Sequence, residues 1–72
     1  MKKTRKKFER VLQRKNLSPY KVAKILGVGI TVPYYWLWGD SAPTIENLIK
    51  LKEILGVSGD EILEMFAEEA TL

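Results

Sequence analysis

The stretch SPYKVAKILGVGITVPYYWLWG, residues 18–39, contains the pattern that decides the fold. It opens with Ser18, a good helix N-cap, and Pro19, which suits the first helical position because its missing N–H is not needed there. Gly27 supplies the left-handed residue that ends this helix. A second helix follows and closes at Gly39. The stretch therefore predicts two short helices joined by a tight turn.

Pro33 decides where the second of these helices begins. If Gly29 were the N-cap, Pro33 would be the fourth helical residue, would lose the first internal hydrogen bond and would crowd the Gly29 carbonyl. With Thr31 as N-cap, Pro33 becomes the second helical residue, where the N–H has no helical partner in any case. We therefore predict a short helix of about Val32 to Trp38, with Gly29 and Ile30 in the preceding turn.

Helical periodicity continues on both sides of this stretch. One helix should run from about Thr4 to Lys15, and another from about Ile45 to Leu55 after a Thr44 cap. Ser58 and Glu61 form a capping box that opens a last helix, which should reach about Glu69. We expect these side chains to face the core: Phe8, Val11 and Leu12 on the first helix, Val22, Ala23, Ile25 and Leu26 on the second, Ile45, Leu48, Ile49, Leu51 and Leu55 on the fourth, and Ile62, Leu63 and Phe66 on the fifth.

The composition limits the functions that the chain can have. Its 72 residues predict one all-α domain, residues 1–72, without internal repeats. With no cysteine and no histidine, it lacks the commonest metal ligands and the commonest general base, so we expect no metal, no cofactor and no enzymatic activity. The basic start has no apolar segment of a signal peptide, and no apolar run suits a membrane span. We expect a cytoplasmic, nucleoid-associated protein.

Charge is distributed very unevenly along the chain. Residues 1–39 contain ten Lys or Arg and one acid, whereas residues 40–72 contain two Lys and eight acids. The formal net charge is +3. Such an asymmetry predicts that the basic half attracts polyanions and that the acidic half faces away from them.

The central helix pair has the features of a helix-turn-helix. Ala23 is small enough for a second helix to approach closely, Gly27 turns the chain, Val28 fills the turn, and Trp36 faces back toward the core. In such a unit, at about residues 18–38, the second helix can enter a major groove of DNA.

An ordered set of residues keeps a fixed spacing over about residues 8–66. Its members are Leu17-Ser18, Ala23, Leu26-Gly27-Val28, Gly39, Pro43, Glu46, Leu48, Leu55-Gly56-Val57-Ser58 and Asp60-Glu61. This set resembles the XRE-type helix-turn-helix family of phage Cro proteins and repressors. The resemblance implies a five-helix, lambda-repressor-like fold that binds double-stranded DNA and regulates transcription as a repressor, usually as a two-fold dimer.

The resemblance also implies which residues meet DNA. The start of the third helix would read base edges, and the start of the second helix and the end of the third would contact phosphate. The predicted base-reading residues are Ile30, Thr31, Val32, Tyr34 and Tyr35. The predicted phosphate contacts are Ser18, Pro19, Tyr20, Lys21, Lys24, Trp38, Ser41 and Thr44. Arg5, Arg10 and Arg14 are further phosphate candidates, although the first helix should pack behind the reading unit.

Two departures from the family pattern change the expected chemistry. Polar base-reading side chains are replaced by Ile30 and Val32, which can contact thymine methyl groups but cannot read donors and acceptors, so we predict a site rich in A·T steps. An ion pair common in the family is replaced by Leu12 and Leu37, an exchange that can be neutral or stabilising.

Several alternatives stay open at this point. The domain could instead be a protein-interaction module that uses Tyr34, Tyr35 and Trp38, since aromatic surfaces suit protein hot spots. Because unusual residues concentrate in positions 29–38, the recognition helix is either redesigned or that of a divergent phage regulator. A redesigned domain would bind as a monomer, whereas a weak homodimer on a two-fold site could use Ile62, Phe66 and Leu72.

Overall fold

Five α-helices form all the regular secondary structure within residues 4–67, the part of the chain that the computed structural model describes. They are α1 (Lys6–Arg14), α2 (Pro19–Leu26), α3 (Val32–Trp38), α4 (Ile45–Leu55) and α5 (Gly59–Ala67). The all-α, five-helix prediction is confirmed. The first helix is shorter at both ends than expected, and the expected end of the fifth at Glu69 lies outside the described residues.

Hydroxyl side chains cap three of the helices at the predicted positions. Ser18 Oγ accepts a hydrogen bond from the Lys21 amide at 3.2 Å, and Thr44 Oγ1 accepts one from the Asn47 amide at 3.3 Å. At the start of α5, the Glu61 amide donates to Ser58 Oγ at 3.1 Å. Each cap satisfies a backbone N–H that has no partner inside its own helix.

The third helix begins where Pro33 requires. Thr31 is its N-cap residue, and Pro33 is the second helical residue and is buried. The Gly29 carbonyl accepts from the Val32 amide at 3.0 Å, which closes the turn before the helix. The first bond into the helix joins the Tyr35 amide to the Thr31 carbonyl at 3.2 Å, so Pro33 interrupts no bond. The prediction of a shortened third helix is confirmed.

All five helices contribute to one hydrophobic core, in which α1 packs against α3 and α5 and α2 packs against α3 and α4. Its buried members include side chains that the periodicity predicted and two, Val57 and Met65, that it did not. The buried hydrophobic residues are Phe8, Val11, Leu12, Val22, Ala23, Trp36, Leu51, Leu55, Val57, Ile62 and Met65.

Four side chains expected in the core lie on the surface instead. Ile25 is 57% exposed, Ile45 72%, Ile49 56% and Leu63 60%. On α4, the inward stripe is set by Leu51 and Leu55, and the two isoleucines lie about a quarter turn or more away from it around the helix axis. Together with Leu63 they border a shallow groove between α4 and α5.

Two glycines, one at the end of α2 and one at the start of α5, should respond oppositely to alanine. Gly27 has φ +76° and nothing within 4 Å of an added Cβ, so Gly27→Ala should cost about 1 kcal/mol through backbone strain alone. Gly59 lies in α5, and its Cβ would meet only Lys52 Cε at 3.9 Å, so Gly59→Ala should stabilise by about 0.5 kcal/mol. Urea unfolding of both variants measures the two signs. Equal effects would contradict this reading of the backbone.

Candidate nucleic-acid interface

Helix α3 is fixed to the rest of the protein by one face. Ala23 in α2 is fully buried, and its carbonyl accepts from the amides of both Gly27 and Val28, at 2.8 and 3.1 Å, which locks the turn between the helices. Trp36 is only 2% exposed and holds α3 to the core. The opposite face of α3 is therefore open at a fixed orientation.

The structure places most, but not all, of the predicted base-reading residues on this open side. Ile30 is 52% exposed, Thr31 is exposed, and Tyr35 is 42% exposed. Thr31 and Tyr35 are four residues apart, so they lie one above the other on the same face of a helix. Tyr34 is half-buried beside this face.

Val32 is the exception among the predicted base-reading residues. It is partly buried and packs against the core, because it lies one helical turn before Trp36 and shares its inward face. The expected thymine contact from Val32 therefore has no support in the geometry, and we leave this residue out of the proposed reading edge.

Three aromatic rings at the end of α3 contact one another. The ring of Trp38 lies 5.7 Å from that of Tyr34, tilted by 42°, and 6.1 Å from that of Tyr35, at an edge-on angle of 74°. Such tilted and edge-on contacts are favourable aromatic geometries. Trp38 is 36% exposed, so it restricts the Tyr35 ring while keeping part of its own surface open.

The first of the two helices presents the cations nearest to the reading edge in sequence. Lys21 and Lys24 are exposed on α2, and Lys24 Nζ lies 5.5 Å from the centre of the Tyr20 ring, which is itself 43% exposed. A ring face attracts an ammonium group and limits its freedom. The arrangement gives α2 an exposed positive surface at which phosphate could bind.

The other residues predicted to contact phosphate include three with hydroxyl side chains, and these three also lie at the surface. Ser18, Ser41 and Thr44 are exposed, and Pro19 is half-buried. The hydroxyls of Ser18 and Thr44 accept the capping bonds, which leaves each O–H able to donate to an anion.

The basic first helix is partly neutralised by the acidic fifth helix. Lys7 Nζ lies 3.4 Å from Glu64 Oε1, and an Arg14 guanidinium nitrogen lies 3.2 Å from Glu61 Oε2. Arg10 is exposed and borders the same depression between α1 and α5. The acids of the second half of the chain therefore do not all face away from the basic half. This pairing removes support for phosphate binding by Arg14.

Arg5 has a role that the sequence did not indicate. It is only 3% exposed, and one guanidinium nitrogen, NH1, donates to the carbonyls of Trp36 and Ser41 at 2.9 Å each. The guanidinium carbon lies 4.9 Å from the centre of the Phe66 ring. The prediction of a phosphate contact from Arg5 is wrong, because the side chain is buried. The one hint in the sequence is that Arg5 is the only arginine among the cations of residues 2–7.

Residues 4–67 contain no cluster of three or more His, Cys, Asp or Glu side chains arranged to hold a metal ion. Over the same range, no helix has the length and apolar character needed to cross a membrane.

Helix α2 is anchored by buried Val22 and Ala23, a tight turn follows it, and α3 presents an open face. With three further helices packed around them, these features define a lambda-repressor-like helix-turn-helix domain. A family model described as Helix-turn-helix matches residues 8–62, most of the chain. The chain belongs to the XRE-type helix-turn-helix family, a family of DNA-binding transcription regulators that are generally not enzymes. No curated protein and no solved structure matches the chain significantly.

Proposed function

We propose that this protein binds double-stranded DNA sequence-specifically, with α3 in the major groove. One observation carries the proposal: α3 is fastened to the core by Val32 and Trp36, while Thr31 and Tyr35 share its exposed face. A helix held rigidly by one face can present the other to base edges in a fixed register.

The side chains on this face suggest which bases they would prefer. Ile30 offers an apolar surface to the C5-methyl group of thymine, and Thr31 offers a methyl and a hydroxyl. The Tyr35 hydroxyl can donate or accept. With Tyr34 at the margin of this edge, we propose a target rich in A·T steps.

Phosphate contacts would flank the reading edge. We propose that they come from the starts of α2 and α4, where helix N-termini favour anions, from the exposed lysines of α2, and from Trp38 at the end of α3. Bound in this way at an operator, the domain would exclude other proteins and act as a repressor in the cytoplasm, associated with the nucleoid. The proposed contacts are Ser18, Pro19, Tyr20, Lys21, Lys24, Trp38, Ser41 and Thr44.

The oligomeric state is part of the proposal. A weak homodimer on a two-fold site is one form, and monomer binding is the other. The three residues expected to form the dimer contact do not form an exposed apolar surface. Ile62 is only 4% exposed, Phe66 is half-buried, and Leu72 lies outside the described residues. Sedimentation with duplexes that carry one or two half-sites distinguishes the two forms.

A protein-interaction module is the second candidate function. The observation that favours it is the partly exposed ring cluster of Tyr34, Tyr35 and Trp38, because exposed aromatic residues are enriched at hot spots. If Tyr35→Ala abolished a protein complex and left DNA affinity unchanged, this second function would replace the first.

Selection from random duplexes tests the base-reading assignment. Ile30→Ala and Tyr35→Ala should each weaken binding to the selected site by about 10-fold or more and should relax the preference at different base pairs. Ile25→Ala is a matched control, since Ile25 is 57% exposed on α2 outside the predicted contacts. If neither Ile30→Ala nor Tyr35→Ala changed the preferred bases, the assignment would be wrong.

A further inference from the structure

We propose that Arg5 is a positioning residue for DNA recognition, which holds the segment after α3 in its binding conformation without touching DNA. This inference rests on the proposed function. It concerns the turn over residues 39–41, which joins the reading helix to the exposed Ser41 and is bonded to Arg5 on its inner side.

The turn is tied to the reading residue Tyr35 through the backbone. The Tyr35 carbonyl accepts from the amides of Asp40 and Ser41, at 2.9 and 3.3 Å. The Trp36 carbonyl accepts from the Gly39 amide at 3.3 Å, which is long for a hydrogen bond of this type. The bonds to Tyr35 close the helix end, and the long Gly39 bond leaves the Trp36 carbonyl able to accept a further donor.

Arg5 supplies that donor at two points of the turn. Its NH1 binds the Trp36 carbonyl at the end of α3 and the Ser41 carbonyl beyond the turn, each at 2.9 Å. Both are shorter than the Gly39 bond, and bonds from a charged donor are stronger than those between neutral groups. One buried cation therefore joins the helix end to the segment that follows it. Its positive charge also interacts favourably with the partial negative charge at the C-terminus of α3.

The position of Arg5 is itself set by three other elements. Its backbone amide donates to the Leu37 carbonyl at 2.7 Å, and its carbonyl accepts from the Glu9 amide at 3.0 Å, which anchors the residue at the start of α1. The guanidinium rests on Phe66 of α5, whose ring lies 5.1 Å from that of Phe8. A planar guanidinium can stack and donate at the same time, unlike a lysine ammonium. Helices α1 and α5 are thereby coupled to the end of the reading helix.

Amide exchange in the free protein tests this coupling without DNA. Arg5→Met keeps an unbranched side chain but removes both bonds, so we expect the amides of Asp40 and Ser41 to exchange at least about 10-fold faster, beyond any change at Leu51 and Leu55. Ile62→Val is the control, because Ile62 is a buried residue of α5 that faces α4. It should accelerate amide exchange to the same extent in the turn and in the core. Uniform acceleration in Arg5→Met would overturn the proposal, because it would show general destabilisation only.

DNA titrations test the consequence for recognition. At a temperature at which Arg5→Met is folded, it should bind the selected duplex about 10-fold more weakly and a scrambled duplex equally well, with an unchanged slope of log K against log salt. A direct phosphate contact would instead lower that slope by about 0.9 and weaken both duplexes alike, which would overturn the proposal. Unchanged affinity for the selected duplex would overturn it as well.

The contact between Arg5 and Phe66 provides a second variant, and amide exchange separates this proposal from the proposed function. If Arg5→Met does not fold, Phe66→Leu removes the ring beneath the guanidinium and should accelerate the same two amides more than the core; an even change would reject the coupling. If the wild-type protein shows no preference between duplexes, the proposed function fails, whereas the amide exchange of Asp40 and Ser41 still decides whether Arg5 holds the turn.

Discussion

Trp36→Ala should leave the domain largely unfolded at room temperature, whereas Trp38→Ala, two residues later, should change stability by less than about 1 kcal/mol. Trp36 is 2% exposed and belongs to the core, and truncating such a side chain costs about 3–5 kcal/mol. A core in a domain of this size rarely supplies more than about 3–5 kcal/mol. Trp38 is 36% exposed, and its ring contact with Tyr34 lies at the surface of the domain.

The two tryptophans also provide the measurement. They are the only two in the chain, so each variant retains one as a fluorescent reporter. Trp36→Ala should lose its helical circular dichroism and cooperative urea transition, while Trp38→Ala should keep both and show the blue-shifted emission of buried Trp36. In DNA titrations, Trp38→Ala should bind about 10-fold more weakly. A cooperative, stably folded Trp36→Ala would show that the face of α3 assigned to the core is wrong.

Local signals explain why the starts of α2, α3 and α4 could be predicted from the sequence. The N-caps Ser18 and Thr44 satisfy nearby amides, and the start of α3 follows from the ring of Pro33 and the missing N–H. Each of these effects acts over three or four residues. They do not depend on how the helices pack, so the structure confirms them.

Packing explains why the core of the last two helices could not be fully predicted. Helix α4 carries apolar residues around more of its circumference than it can bury, and periodicity alone does not select the stripe that faces inward. Leu51 and Leu55 are buried, while Ile45 and Ile49 remain exposed. The choice depends on where α2 and α5 lie, which is information from the whole fold.

Which side chains of the candidate site are exposed was predictable to a similar extent. Thr31 and Tyr35 follow from the family pattern, and the spacing of Val32 four residues before Trp36 could have shown that Val32 faces the core. Arg5 could not be found in this way. Its burial depends on a long-range contact with the end of α3, and a run of cations predicts only an exposed surface.

Local charge also matters more for the site than the net charge of the chain. The cations of α1 pair in part with acids of α5, through Lys7 and Glu64 and through Arg14 and Glu61. The positive charge in the helix-turn-helix unit itself comes from Lys21 and Lys24, so phosphate affinity should depend strongly on this pair.

Lys21→Glu with Lys24→Glu should therefore weaken DNA binding on the order of 1000-fold at 50 mM salt, since it removes two proposed phosphate contacts and adds two repulsions. Replacing both lysines with glutamine instead should lower the slope of log K against log salt by about 1.8. Lys50→Glu with Lys52→Glu is the matched control: either double reversal takes the formal net charge from +3 to −1, but the control changes α4 instead of α2. If the two reversals weakened binding equally, general charge rather than contact at α2 would explain the affinity.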